Sequence, residues 1–333
     1  MFRLLFLIVL LSIALAGTVY MSVGAYPFVL PLRASSRVDE TRNQSSSLVI
    51  VDGTRDARIG PRLSPSARSV PEISADHAVI VDGDTGAILY GKGDQTAQPI
   101  ASLTKLMTAL VVLDTAGLDF ERPILLEYRD DRVGGTLFVR RGESVRVRDL
   151  FFTSLVGSAN NATMALARAT GLSPEEFVEA MNARARILGL QDTTFVEPTG
   201  LDPRNVSTAR DIARLAWHAF QNPRIREAVT TSEYVFRTVN TGVRHRIKNT
   251  DELLRTRGRS YTIVGGKTGY IDEAGFCLAV EAERGAKRVI ALVLGSKSHA
   301  DRFRDVDALI EWAMESYEWN EKVSNSAATA AGN

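Results

Sequence analysis

The chain predicts an α/β (α+β) fold: an antiparallel sheet drawn from both ends of one large domain, flanked by helices, with a helical subdomain inserted between its strands. Three observations carry this. Alternating apolar residues near 78–90 read as a hairpin, comparable β-rich runs return only after 262, and the intervening sequence is dominated by capped, 3.6-periodic segments. At 333 residues and 45% hydrophobic content, the chain can bury a substantial core.

Taken in order, the chain opens with a stretch that carries no charge between Arg3 and Arg33. Its most apolar part, Leu4 to Ala16, has signal-peptide length, and Ala14-Leu15-Ala16 fits a small-x-small cleavage site. The same stretch is long enough for an uncleaved anchor, although Pro27 and Pro31 break one continuous helix. Residues 1–32 are therefore expected to be a signal peptide or N-terminal membrane anchor. Either way the remainder lies outside the cytoplasm. Serine-rich residues 33–75 read as a flexible linker, residues 76–318 as the folded domain, and 319–333 as a disordered tail.

Within the domain, Ala78–Val81 and Ala87–Tyr90 flank the turn Asp82-Gly-Asp-Thr-Gly86, a hairpin signature. Leu103, Leu106, Met107, Leu110 and Val111 keep one helical face apolar. Ser173-Pro174-Glu175-Glu176 is a capping box with proline at the first helical position, and Thr208-Ala-Arg-Asp211 repeats the capping logic. Thr262–Val264, Phe276–Glu281 and Arg288–Leu294 are β-rich, and an amphipathic helix runs on from about Ala300.

Composition removes several function classes. A net charge of +1 gives no electrostatic basis for nucleic-acid binding. The single cysteine, Cys277, rules out an intrachain disulfide or a cysteine metal cluster and reads as a small core residue. The four histidines show no i, i+4 pair, so no metal site is expected.

Three short motifs stand out, in order: Ser102-Leu-Thr-Lys105, Ser158-Ala-Asn160 and Lys267-Thr268-Gly269. Ser102 and Lys105, three apart at a helix start, share one face. A neutral lysine amine there can take the serine proton, provided burial and a second cation, for which Lys267 is the candidate, lower its pKa. The Ser102 N–H at the helix N-terminus is a candidate oxyanion donor. Ser158 and Asn160 fall on a tight turn between helices, where a hydroxyl suits proton relay and an amide suits a substrate carbonyl. Lys267 and Thr268, continuing from a strand, suit a carboxylate. Gly269 admits substrate backbone to the strand edge, and the Tyr270 N–H is placed as a second oxyanion donor.

Together with Pro99–Thr108, Met181–Gly189, Thr208–Asp211 and Gly265–Gly275, these motifs resemble the D-alanyl-D-alanine carboxypeptidase family of low-molecular-weight penicillin-binding proteins, over about residues 76–316. The resemblance implies the β-lactamase/D,D-peptidase fold and release of D-alanine from a peptidoglycan stem peptide through an acyl-enzyme, with no metal or cofactor. It implies Ser102 as nucleophile, Lys105 as base, Ser158 and Asn160 as the second element, and Lys267 and Thr268 as ligands of the terminal carboxylate. β-Lactams would be covalent inhibitors, and the site of action would be the periplasm or the outer face of the bacterial inner membrane, with membrane contact only through an uncleaved N-terminus.

The sequence departs from the family pattern in places. Ser-Gly-Asn-Asp is replaced by Ser158-Ala-Asn-Asn161, and an Asn-x-Asn before paired leucines by Asn249-Thr-Asp251. The layout, ending soon after the last helix, also resembles D,D-endopeptidases that cut cross-links. A β-lactamase would need a base such as the glutamate of E-x-x-L-N. The nearest candidate, Glu197-Pro-Thr-Gly-Leu201, lacks the asparagine. A non-catalytic wall-binding module would be expected to lose Ser102 or Lys105, and both are present.

Overall fold

The structure, a computed structural model, describes residues 60–132, 134 and 139–319. The expected signal or anchor at 1–32, the first part of the linker and the tail from 320 lie outside the described residues. Among the described residues no helix is long and apolar enough to cross a membrane.

A five-stranded antiparallel sheet is the centre of the fold. Its strands are β1 (His77–Asp82), β2 (Ile88–Lys92), β3 (Thr262–Ile271), β4 (Gly275–Arg284) and β5 (Lys287–Ser296), in spatial order β3-β4-β5-β1-β2. The first two come from the start of the domain and the last three from its end, as the sequence predicts. Strand periodicity explains how the sheet is covered on both faces. Val79, Val81, Cys277, Ala279, Ile290, Leu292 and Leu294 pack on one side. Ala78, Ile80, Leu278, Val280, Val289, Ala291 and Val293 pack on the other. Cys277 is fully buried, as expected of a core residue.

Seven α-helices are described: α1 (Thr104–Asp114), α2 (Val147–Val156), α3 (Asn160–Ala169), α4 (Pro174–Ile187), α5 (Ala209–Gln221), α6 (Pro223–Thr230) and α7 (His299–Ser316). Helix α7 covers one sheet face with Phe303, Val306, Leu309 and Ile310. Its start is set by Ser298, whose hydroxyl accepts from the Asp301 N–H. The other six pack on the opposite face in one continuous core. The capping box at Ser173 and the Thr208 cap form as expected.

Two boundaries differ from the sequence reading. The linker expected over 33–75 is already part of the domain from about residue 62. Arg62–Leu63 pairs with Tyr317–Glu318, Ile73 and Ala75 are buried, and Asp305 on α7 accepts from the N–H groups of Ser74 and Ala75. A buried carboxylate on a distant helix supplies the partners that a polar segment cannot advertise locally. At the other end Trp319, expected in the tail, donates its indole N–H to Asp82 Oδ1 at 2.8 Å and lies under the Lys287 ammonium.

Candidate active site

The sheet edge and the helical subdomain meet at a cavity of about 610 Å³, lined by Ser102, Ser158, Asn160, Thr268, Gly269 and Tyr270 among others. That size suits a short peptide. All three motifs border it, although more than a hundred residues separate the second motif from the third.

Ser102 lies in a 3₁₀ turn, Ala101–Leu103, that leads directly into α1. Lys105 comes next in the first turn of α1 and is fully buried. Its Nζ is 2.7 Å from Ser102 Oγ, 2.7 Å from Asn160 Oδ1 and 2.6 Å from the Thr199 carbonyl oxygen. An ammonium has three protons, and these three acceptors match them. Once neutral, the amine still donates to Asn160 and Thr199 and turns its lone pair to the Ser102 hydroxyl. Burial lowers the Lys105 pKa to about 7, against the opposing pull of Glu197. The sequence suggests Lys267 as a source of this shift. Burial is instead the first cause, because the α1 start is sealed between α3 and the Thr199 loop.

The Thr199 loop is itself held by Glu197. Its carboxylate accepts from Thr199 N–H (2.7 Å), Thr199 Oγ1 (2.6 Å), Leu201 N–H (3.0 Å) and Asn205 Nδ2 (2.9 Å), and from the Gly200 N–H. With its oxygens occupied, this carboxylate is a loop brace and has no free lone pair aimed at a water. Sequence spacing singles it out for a different task.

Ser158 sits between α2 and α3 with φ of 55°, and Ala101, just ahead of the nucleophile, has φ of 48°. These are the only non-glycine residues with positive φ among those described, and both flank the cavity. Asn160 opens α3. Its side chain bridges Lys105 and, through Nδ2, the Gly134 carbonyl oxygen at 2.9 Å, so its amide organises the base and is not left open to substrate.

The third motif lies inside β3, an edge strand. Lys267 is 1% exposed and donates to Ser158 Oγ and to the Thr268 carbonyl oxygen, each at 2.9 Å. It stands behind the cavity wall, whereas the sequence reading sets it directly against a carboxylate. Burial, then the Lys105 charge, hold its pKa well below the usual ammonium range. Thr268 does line the cavity, its hydroxyl 2.6 Å from Thr250 Oγ1. Gly269 packs against the nucleophile: a Cβ there would lie 3.2 Å from the Ser102 nitrogen and from the Ile100 oxygen. Tyr270 comes next, at the rim, stacked on Phe276.

Sequence reasoning misses Arg302. It lies on α7, is 5% exposed, lines the cavity, and donates from Nη1 to the Gly269 carbonyl oxygen at 3.2 Å. Its guanidinium is sandwiched near Phe276 and Phe303, and Nε has no hydrogen-bond partner among the described residues. A buried fork with an unused donor is a carboxylate receptor by chemistry. Nothing in the local sequence of an amphipathic helix marks it.

The family profile described as D-alanyl-D-alanine carboxypeptidase matches residues 64–298. Among curated relatives, a D-alanyl-D-alanine endopeptidase of Pseudomonas aeruginosa is 36% identical over 242 residues, covering 72% of this chain and 77% of the relative. D-alanyl-D-alanine carboxypeptidase DacF of Bacillus subtilis is 33% identical over 250 residues, covering 73% of this chain and 63% of the relative. Among solved structures, the Streptomyces K15 DD-transpeptidase superposes with a TM-score of 0.69 at 30% identity, over 74% of this chain and all of the other. With the motifs gathered at one cavity, the chain belongs to the D-alanyl-D-alanine carboxypeptidase family and is a serine D,D-peptidase.

Proposed function

We propose that the chain removes the terminal D-alanine of peptidoglycan stem peptides through an acyl-enzyme on Ser102. The observation that carries this reading is the buried Lys105 amine at 2.7 Å from the Ser102 hydroxyl, with a pKa of about 7. Neutral Lys105 takes the Ser102 proton as Oγ attacks the penultimate carbonyl carbon. The oxyanion that forms is met by the N–H groups of Ser102 and Tyr270, brought together because Gly269 has no side chain to hold β3 away. The leaving amine takes a proton from the network of Lys105, Lys267 and Ser158. Water then hydrolyses the ester, and Lys105 acts as base again.

The donor's C-terminal carboxylate is received by Thr268 and Arg302, with the Lys267 charge behind them. Because the Glu197 carboxylate is fully engaged in its loop, rapid deacylation of a penicilloyl ester has no evident base, which favours a peptidase over a β-lactamase. Action on this polymer places the enzyme outside the cytoplasm, in the periplasm or on the outer face of the inner membrane, in keeping with the uncharged stretch after Arg3.

A second reading is endopeptidase cleavage of cross-links. It is favoured by the printed names of relatives at 36% and 34% identity. Both reactions use the same nucleophile and carboxylate site, and they differ in the leaving group: free D-alanine in one, a D-amino acid still attached to a second stem peptide in the other.

A fluorescent penicillin should label the wild-type protein slowly and persistently, and Ser102→Ala should remain folded but unlabelled. Labelling of Ser102→Ala would reject the site. Digestion of a cross-linked muropeptide beside a free pentapeptide separates the two readings by product: cross-link cleavage favours the endopeptidase, and D-alanine release from the pentapeptide alone favours the carboxypeptidase.

A further inference from the structure

Asn249, Thr250 and Asp251 form a short segment between the hairpin Glu233–Lys248 and β3, and the proposed reaction gives Asp251 no role. Asp251 is fully buried. Its Oδ1 accepts from the Leu253 N–H at 2.9 Å, while Oδ2 has no hydrogen-bond partner among the described residues. A buried carboxylate oxygen left without a donor is costly and calls for a reason.

Its position supplies one. Oδ2 lies against β3 at Gly266, where a Cβ would come within 2.3 Å of it. Gly266 thus leaves the gap that lets a carboxylate sit at the back of the strand, next to Lys267. The neighbouring Thr250 holds the Thr268 hydroxyl at 2.6 Å, so the same segment braces the cavity-facing residue as well. The charged groups around Asp251 are Lys267 on β3, Arg302 on α7, Arg255 on the turn Glu252–Arg255, and Arg259 in the loop entering β3. Lys267 and Arg302 are both almost fully buried, and each is pulled toward its charged form by Asp251.

We propose that Asp251 is a positioning residue, an internal counter-charge that keeps Lys267 and Arg302 cationic before substrate binds, so that the donor carboxylate meets charge already in place. This rests on the reading that the site takes a carboxylate. Two buried cations without an anion repel one another, and the lysine, which can shed its proton, is the one that yields. Asp251 opposes that loss. An asparagine has nearly the same shape and supplies no charge. Burial pushes the Asp251 carboxyl up to about 6, so the counter-charge is present above that pH and fades below it.

The test compares the full-length wild type with Asp251→Asn, using one donor peptide with a free C-terminal carboxylate and its C-terminal amide, from pH 5 to 9.5. In the variant, kcat/KM for the carboxylate donor should start to fall about one pH unit earlier on the alkaline side. That is a roughly tenfold loss near pH 8.5, carried by KM, with the amide donor nearly unchanged. Superimposable profiles, or equal losses on both donors, would overturn the proposal and leave Asp251 a purely structural group. If the variant does not fold, the wild type carries the test through carbon-13 NMR of the Asp251 carboxyl. A titration near pH 6 that moves on binding a carboxylate ligand supports the counter-charge, and one in the ordinary aspartate range that ignores the ligand overturns it. Absence of any acylation of the wild type would instead remove the functional reading on which the inference rests.

Discussion

A Cβ on Gly200 would stand 1.9 Å from the Ala101 carbonyl oxygen, so the loop that accepts from Lys105 touches the backbone just ahead of the nucleophile. Gly200 also has φ of +83°, in the left-handed region. The loop and the nucleophile turn therefore fix each other's position through backbone contact, with no room between them.

Gly200→Ala should consequently lose acylation by at least tenfold and destabilise the fold by roughly 2 kcal/mol or more, because strain and a backbone clash add. Penicillin labelling rates and urea unfolding measure the two effects. A variant as active and as stable as wild type would contradict the packing.

The Lys105 pKa of about 7 sets the pH response on the acid side. The base must be neutral, so kcat/KM should rise with pH through about 7 and then level off. Lys105→Arg preserves charge but cannot give up its proton, and should cost about 10²–10⁴-fold at every pH. A wild-type rate that is flat from pH 5 to 9 would remove Lys105 as the base.

Carboxylate recognition divides between two cations. Arg302→Ala should weaken donors ending in a free carboxylate by about 2–5 kcal/mol and barely affect amidated donors, since it removes a buried fork. Lys267→Ala should also lower kcat, because Lys267 donates to Ser158 beside the reacting groups. Equal kcat/KM values of the wild type on both donors would argue against either role.

Asp251 also carries a stability consequence. Its folded pKa of about 6 lies above the unfolded value of about 3.9, so the folded state holds the proton more tightly and is favoured at low pH. The penalty grows as pH rises from about 4 to 6 and is complete above 6, at about 3 kcal/mol as an order of magnitude. Asp251→Asn should therefore unfold at higher urea concentration than wild type at pH 7 and at about the same concentration at pH 4. An equal difference at both pH values would show that charge is not the cause.

Legibility in the sequence tracks the range over which each feature is specified. Helix starts at Ser173, Thr208 and Ser298 are local hydrogen bonds between residues three apart, so the chain spells them out. The linker boundary is not legible, because its order comes from Asp305, some 230 residues away. Glu197 is visible as a residue, but its five-donor nest arises only when the 197–205 loop closes on itself.

Sequence alone determined the chemistry available: a serine and a lysine on one helical turn, a tight turn with a hydroxyl and an amide, and a lysine-threonine-glycine run on a strand. Periodicity and capping also determined the elements that carry them. Tertiary structure decided which cation faces the cavity, that burial tunes Lys105, and that Arg302 and Asp251 belong to the site at all. The physical reason is that burial and charge coupling depend on distances across β3 and α7, which no local pattern along the chain encodes.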